Sequence, residues 1–183
     1  MSSSNTIHQA VEKWLLDIVI GLNLCPFAAK PQRNGQIDIQ ISQAKNLVEL
    51  NQEVIDVLIK LDEIPAEQLD TLLLVVPRQL RDFYEYNDYL DMVDQLIEEQ
   101  DRIGVYQVAS FHPEYRFDGT VANSVENLTN KAPYPILHFI REDSLAAAVD
   151  KYPNPEQIPE DNIEKMHKLS KEEIRRLFPY IRK

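Results

Sequence analysis

Thr71-Leu72-Leu73-Leu74-Val75-Val76-Pro77 is the stretch that decides the fold. It is short, uncharged and apolar on both alternating sets of positions, the pattern of a strand covered on both faces by helices. Pro77 closes it, because proline has no N–H to give the ladder. The neighbouring segments supply those helices. Upstream, Leu47, Leu50, Val54, Val57, Leu58 and Leu61 recur at three- and four-residue spacing and predict a helix that stops near Ile64, since Pro65 cannot continue it. Downstream, Leu80, Phe83, Tyr84, Leu90, Val93 and Ile97 predict a helix from about Gln79 to Gln100 with an acidic outer face.

Further out, Asn34-Gly35 marks a turn before Ile37, Ile39 and Ile41, which alternate with Asp38 and Gln40 as a half-buried edge strand does. Ile7, Ala10, Val11, Trp14, Leu15, Ile18 and Leu22 place one apolar stripe on a first helix, with Asn5 or Thr6 as N-cap and Gly21 and Pro26 bracketing its end. Ile103 to Phe111 and Ile136 to Ile140 read as two more strands. Asp143-Ser144 offers a cap for a helix ending before Tyr152-Pro153, and Ser170-Lys171-Glu172-Glu173 is a capping box that opens the last helix. Strands alternate with helices as far as residue 111, which predicts parallel neighbours, whereas the final strand arrives with no helix before it. The expectation is an α/β (or α+β) fold: a small mixed, mostly parallel sheet of about four strands packed by helices, with a helical C-terminal extension over about residues 155–183.

A chain of 183 residues with 44% hydrophobic and 27% charged residues is long enough for one self-sufficient domain, 1–183. The net charge of -11 argues against a nucleic-acid partner, which selects dense basic patches. From Lys165 onward, however, seven basic residues stand against two acidic ones, and such a tail is expected to pack back on the acidic body or lie solvated. One cysteine, Cys25, makes neither an internal disulfide nor a Cys-x-x-Cys pair, which suits a reducing cytoplasm. The start lacks a basic signal-peptide region. Leu24 is too large, and Pro26 too close, for Cys25 to be a lipoprotein cleavage site. No apolar run approaches the roughly 20 residues of a membrane span.

Chemistry is expected in the segment Pro113 to Pro135, which joins two strands with almost no apolar periodicity. Compact domains keep loops of that length chiefly where they bind something. It carries Glu114, Tyr115, Arg116, Asp118, Asn123, Glu126, Asn127, Asn130 and Lys131, and Pro133-Tyr134-Pro135 stiffens its end. His112 stands at a strand end, where open α/β sheets place ligands; it reads equally as an acid/base or as a structural cap. His138 lies mid-strand and reads first as a core histidine. Arg141 can fork onto an anion, with Glu142 orienting it or acting as base, or the pair can lock strand to helix. Cys25, in the apolar setting of Pro26-Phe27, is a nucleophile only if His112 or His138 lies beside it. A Cys/His/His metal site lacks any close-spaced ligand pair.

Gly21-Leu22-Asn23-Leu24-Cys25-Pro26-Phe27-Ala28, Phe111-His112-Pro113 with Tyr115 and Phe117, and the run Asn127 to His138 continuing to Arg141-Glu142 resemble the blocks of a bacterial domain-of-unknown-function family, number 1415. The resemblance spans nearly the whole chain and brings no established activity or cofactor. It singles out Cys25, His112, Asn127, Asn130, Tyr134, His138, Arg141 and Glu142, and it implies arginine and serine where this chain has Lys131 and Ala132.

Two functions follow as expectations. One is a small enzyme acting on a small anionic metabolite, with Arg141, Asn127 and Asn130 fixing it, Tyr134 and His138 beside them, His112 as acid/base and Cys25 as nucleophile or wall. It requires those groups to converge on one pocket. The other is a non-catalytic binding protein that meets a protein partner through its acidic helix or basic tail. It requires the same polar groups to be buried and bonded to one another.

Overall fold

The computed structural model describes residues 3–181. Met1, Ser2, Arg182 and Lys183 lie outside the described residues, and with them the last two basic residues of the tail. Helix α1 (Ser4–Trp14) is capped by Ser3, two or three residues before the expected cap, and runs into a wider π-helical turn at Leu15–Ile20. That turn crowds its exit: a Cβ on Gly21 would lie 2.4 Å from the Asp17 carbonyl oxygen, so only glycine fits there. Short α2 (Ala29–Arg33) leads to β1 (Ile37–Ile41), α3 (Leu47–Glu63) and β2 (Thr71–Val75). Helix α4 (Phe83–Glu99) starts later than its apolar spacing suggested, because the Asp82 carboxylate accepts from the Tyr84 and Glu85 N–H groups and fixes the first turn.

Strand β3 (Tyr106–Phe111) is shorter than expected, since Arg102 to Tyr106 forms a turn around Gly104 (φ 75°). A 3-10 turn at Val125–Asn130 precedes β4 (Ile136–Arg141), and α5 (Glu142–Val149) begins directly at Glu142 without the Asp143-Ser144 cap. A 3-10 turn at Pro155–Gln157, α6 (Ile158–Lys168) and α7 (Lys171–Leu177) complete the chain, and α7 opens with the Ser170/Glu173 capping box.

The sheet order is β1-β2-β4-β3. It is mixed rather than mostly parallel: only β1 and β2 pair in parallel, while β4 runs antiparallel to both β2 and β3. The reason is the connection. With no helix to carry the chain back across the sheet after β3, the loop returns at the edge where β3 ended, and β4 must start there. β1 takes the expected edge position. β2, flanked on both sides, is buried along its full length.

Strand alternation sends Leu72, Leu74, Leu137 and Phe139 to one face, where α3 and α4 contribute Leu50, Val54, Leu58, Tyr86 and Val93. Leu73, Val75 and Ile136 point to the other, against Val11, Trp14 and Ile18. Met166 of α6 and Phe178 after α7 are buried in this second cluster, and Asn162 donates to the Leu24 carbonyl at 2.6 Å. The C-terminal helices therefore form one wall of the core. Among the described residues no helix is long and apolar enough to cross a membrane.

Candidate functional site

His112 follows β3 and is fully buried, with both ring nitrogens engaged. Nδ1 accepts from the Glu114 N–H at 3.0 Å and Nε2 lies 3.1 Å from the Leu80 carbonyl, so the neutral tautomer with its proton on Nε2 satisfies both. Phe83 and Tyr86 pack on the ring at 5.5 and 5.1 Å. Burial pushes its pKa down, partly opposed by the Leu80 carbonyl. Leu80 itself sits at φ 55°, a left-handed conformation costing a residue with a Cβ roughly 1–2 kcal/mol. His112 is thus the cap that holds a strained turn, with both ring nitrogens engaged by backbone groups.

The two asparagines shape the loop. Asn127, fully buried, accepts on Oδ1 from the Phe117 N–H (3.0 Å) and the Thr120 hydroxyl (2.9 Å), and donates through Nδ2 to the Val121 carbonyl (2.9 Å). Asn130 donates to the Ser110 carbonyl at 3.2 Å, and its own carbonyl accepts from the His112 N–H at 3.2 Å. With the Ala132 N–H bonded to the His112 carbonyl, the loop covers the open edge of β3 at its end, from Ser110 to His112.

Arg141 and Glu142 lie at the opposite end of the sheet. Tyr106 pairs with Arg141 and Phe111 with Ile136, which puts His112 and Arg141 roughly 16 Å or more apart at about 3.3 Å per residue. The Arg141 guanidinium donates to the carbonyls of Leu61 (2.5 Å), Ile64 (2.6 Å) and Leu69 (3.2 Å), and stacks over Tyr106 at 5.7 Å. It closes the C-terminus of α3, where a cation is favoured by the exposed carbonyls. Beside it, Asp62 takes Tyr106 and a forked Arg102, whose bonds hold the Asp62 carboxyl below its usual range. Glu142 borders a separate groove of about 520 Å³ with Asp91, Asp94 and Glu98.

Three residues occupy the second face. His138 Nε2 is 2.5 Å from the Thr71 hydroxyl, whose own proton goes to the Phe139 carbonyl, so the imidazole is the donor; burial pushes its pKa down to about 4. Tyr134 packs on the apolar cluster there. Cys25 packs on it too, and burial pushes its thiol up, with the Phe27 and Ala28 backbone lowering it only in part. A nucleophile needs the reverse shift. Among the described residues nothing joins Cys25 to either histidine by a hydrogen bond, and no group of three or more His, Cys, Asp or Glu is placed to hold a metal. The expected Cys/His/Asn/Arg constellation is therefore distributed over three places.

The loop nevertheless builds a cleft, out of residues that the sequence left in the crowd. It measures about 230 Å³, opens where β3 ends and α4 begins, and is lined by Asp82, Tyr84, Glu114, Arg116, Asn123 and Lys131 over walls of Phe83, Pro113 and Ile181. Lys131 is only 7% exposed, and its Nζ reaches one group, the Ala122 carbonyl, at 3.4 Å. No ion pair among the described residues involves Lys131, Arg116, Glu114 or Asp82. Burial pushes the Lys131 pKa down, and nearby Glu114 pulls it partly back. The position is held from behind: the Lys131 carbonyl accepts from Trp14 Nε1 (3.0 Å) and from the Tyr180 hydroxyl (3.2 Å). Arg116 is braced by its Nε on the Thr120 carbonyl (2.7 Å) and Nη1 on the Tyr84 hydroxyl (3.3 Å).

The sequence signal for this site was the polar loop itself, which carries Glu114, Arg116, Asn123 and Lys131, without any mark that set these four apart. The groups that hold the Lys131 carbonyl come from Trp14 and Tyr180, far apart in the chain. Comparison with curated proteins and with solved structures finds no match. A family model described as a protein of unknown function, DUF1415, matches residues 6–176, and the chain belongs to that family.

Proposed function

We propose that this protein binds a small anionic metabolite in the cleft between Lys131 and Arg116, and that it does so in the bacterial cytoplasm, where a single unpaired cysteine is at home. The observation that carries this reading is the buried residue Lys131, whose part-buried ammonium lines the cleft with no carboxylate of the described residues within ion-pair distance. Removing an ammonium from water costs several kcal/mol unless an anion and hydrogen bonds compensate, and an anionic ligand supplies both. The volume of about 230 Å³ limits that ligand to a small metabolite. His112, Asn127 and Asn130 act behind the cleft by fixing the loop that presents Arg116 and Lys131. Acid–base chemistry in the cleft falls to Lys131 and Glu114, because the ring nitrogens of His112 are engaged elsewhere.

The test is calorimetric titration of phosphate and of small mono- and dicarboxylates into wild type, Lys131→Met and Arg116→Ala. Binding by wild type that weakens at least about tenfold in both variants supports the reading, as expected for loss of a charge-assisted bond. Binding that survives both substitutions removes the cleft as the site. A second reading, a protein partner on the acidic face of α4, has one observation in its favour: Ile103 (69% exposed) and Val105 (42%) flank the groove of Asp91, Asp94 and Glu98. Capture of a partner that Asp91→Lys/Glu98→Lys abolishes and Lys131→Met leaves intact would favour it.

A further inference from the structure

The cleft carries charges of both signs that form no ion pair with one another. Arg116 and Lys131 face it with Asp82 and Glu114. Each retains unused capacity. Asp82 holds the α4 N-terminus through Oδ1 alone, and Glu114 accepts no side-chain hydrogen bond. Arg116 uses Nε and Nη1 and leaves Nη2 without a partner, and Lys131 makes its single long bond to Ala122. The α4 amides are already taken by Asp82, so the helix end is not the anion anchor.

A plain dianion meets two cations here, but also two carboxylates that repel it. A plain amine meets the opposite conflict. A molecule with a carboxylate and an ammonium a few bonds apart matches both sets at once. We infer that the ligand is an amino-carboxylate, an α-amino acid or a close relative. Its carboxylate lies on Arg116 and the buried Lys131, its ammonium on Glu114 with Asp82, and its side chain against the apolar wall of Phe83, Pro113 and Ile181. This rests on the reading of the cleft as an anion site and names the class of molecule that it takes.

The experiment compares matched probes on the full chain by calorimetric titration: the protein amino acids singly, and for each that binds, its deaminated acid and its decarboxylated amine. The expected result is at least one amino acid that binds about tenfold or more tightly than both analogues, the loss of one charge-assisted contact in each case. Glu114→Gln should erase the preference over the deaminated acid while leaving that acid's own affinity unchanged or higher. Lys131→Met should weaken amino acid and deaminated acid alike. If the simple acids bind as tightly as the amino acids and Lys131→Met abolishes both, the amino-carboxylate inference is overturned and the anion cleft stands. If neither class binds, both readings fall. Circular dichroism of each variant separates a lost contact from a lost fold.

Discussion

Replacing Lys131 with methionine should make the unliganded protein more stable while removing its ligand. Methionine keeps most of the side-chain length inside the same walls and deletes an ammonium whose one hydrogen bond is to the Ala122 carbonyl at 3.4 Å, on a residue that is 7% exposed overall. Exchanging buried charge for apolar volume stabilises by roughly 1–4 kcal/mol. For a domain of this size each kcal/mol raises Tm by about 2–4 °C, so a rise of about 2–16 °C is expected. The sign of the pH dependence follows from the lowered pKa of Lys131. Between that value and the unfolded one near 10.5, the unfolded chain holds more protons than the native one, and wild-type stability rises with pH. Below that window the cost of the buried ammonium is present in full. The gap between the two proteins should therefore be widest near neutral pH and shrink as pH climbs toward 10.5. Urea unfolding of both proteins at neutral and alkaline pH measures it. A variant less stable than wild type at neutral pH, or a gap indifferent to pH, would refute the claim that Lys131 is an uncompensated cation.

Arg141→Met should cost about 2–4 kcal/mol in urea unfolding, because three carbonyls at the end of α3 and beyond lose their donor, while ligand affinity at the cleft stays unchanged; a selective loss of affinity would return Arg141 to the site. The His138 ring should remain neutral by NMR until pH approaches about 4. Since its folded pKa lies below the unfolded 6.5, the native state loses stability as pH falls from 6.5 toward 4, and His112, also lowered, adds in the same direction. A His138 ring that titrates near 6.5 would contradict its burial. Cys25 should react with a thiol reagent at neutral pH far more slowly in the folded protein than in urea, and rapid labelling of the native chain would show an activated thiolate.

Much of the local architecture was legible in the residues alone. The apolar run at Thr71 announced a strand buried on both faces, the alternating isoleucines an edge strand, Pro65 the end of α3, and Ser170 with Glu173 the start of α7. Each signal depends on groups within a turn or a strand: the period of burial, the missing N–H of proline, the reach of a capping side chain. The long loop after His112 stood out as the candidate segment for a similar reason, since polar content without periodicity does not make a helix or strand of its own. Where its side chains point was not.

Tertiary structure alone decided the rest, because it turns on contacts between distant parts of the chain. The insertion of β4 between β2 and β3 follows from a return path through the loop, and this single topological fact sends Arg141 to the far end of the sheet from His112. His112 became a cap when the Leu80 carbonyl came within reach, and Cys25 stayed in the second face with no hydrogen bond to a histidine among the described residues. Lys131 became the candidate because Trp14, near the first residue, and Tyr180, near the last, both donate to its carbonyl and fix the backbone that presents its side chain to the cleft with Arg116 and Glu114. Sequence determines which segments are apolar, capped or stiff, since those properties are local. Which charges face one another across a cleft is set by the summed packing of the whole chain.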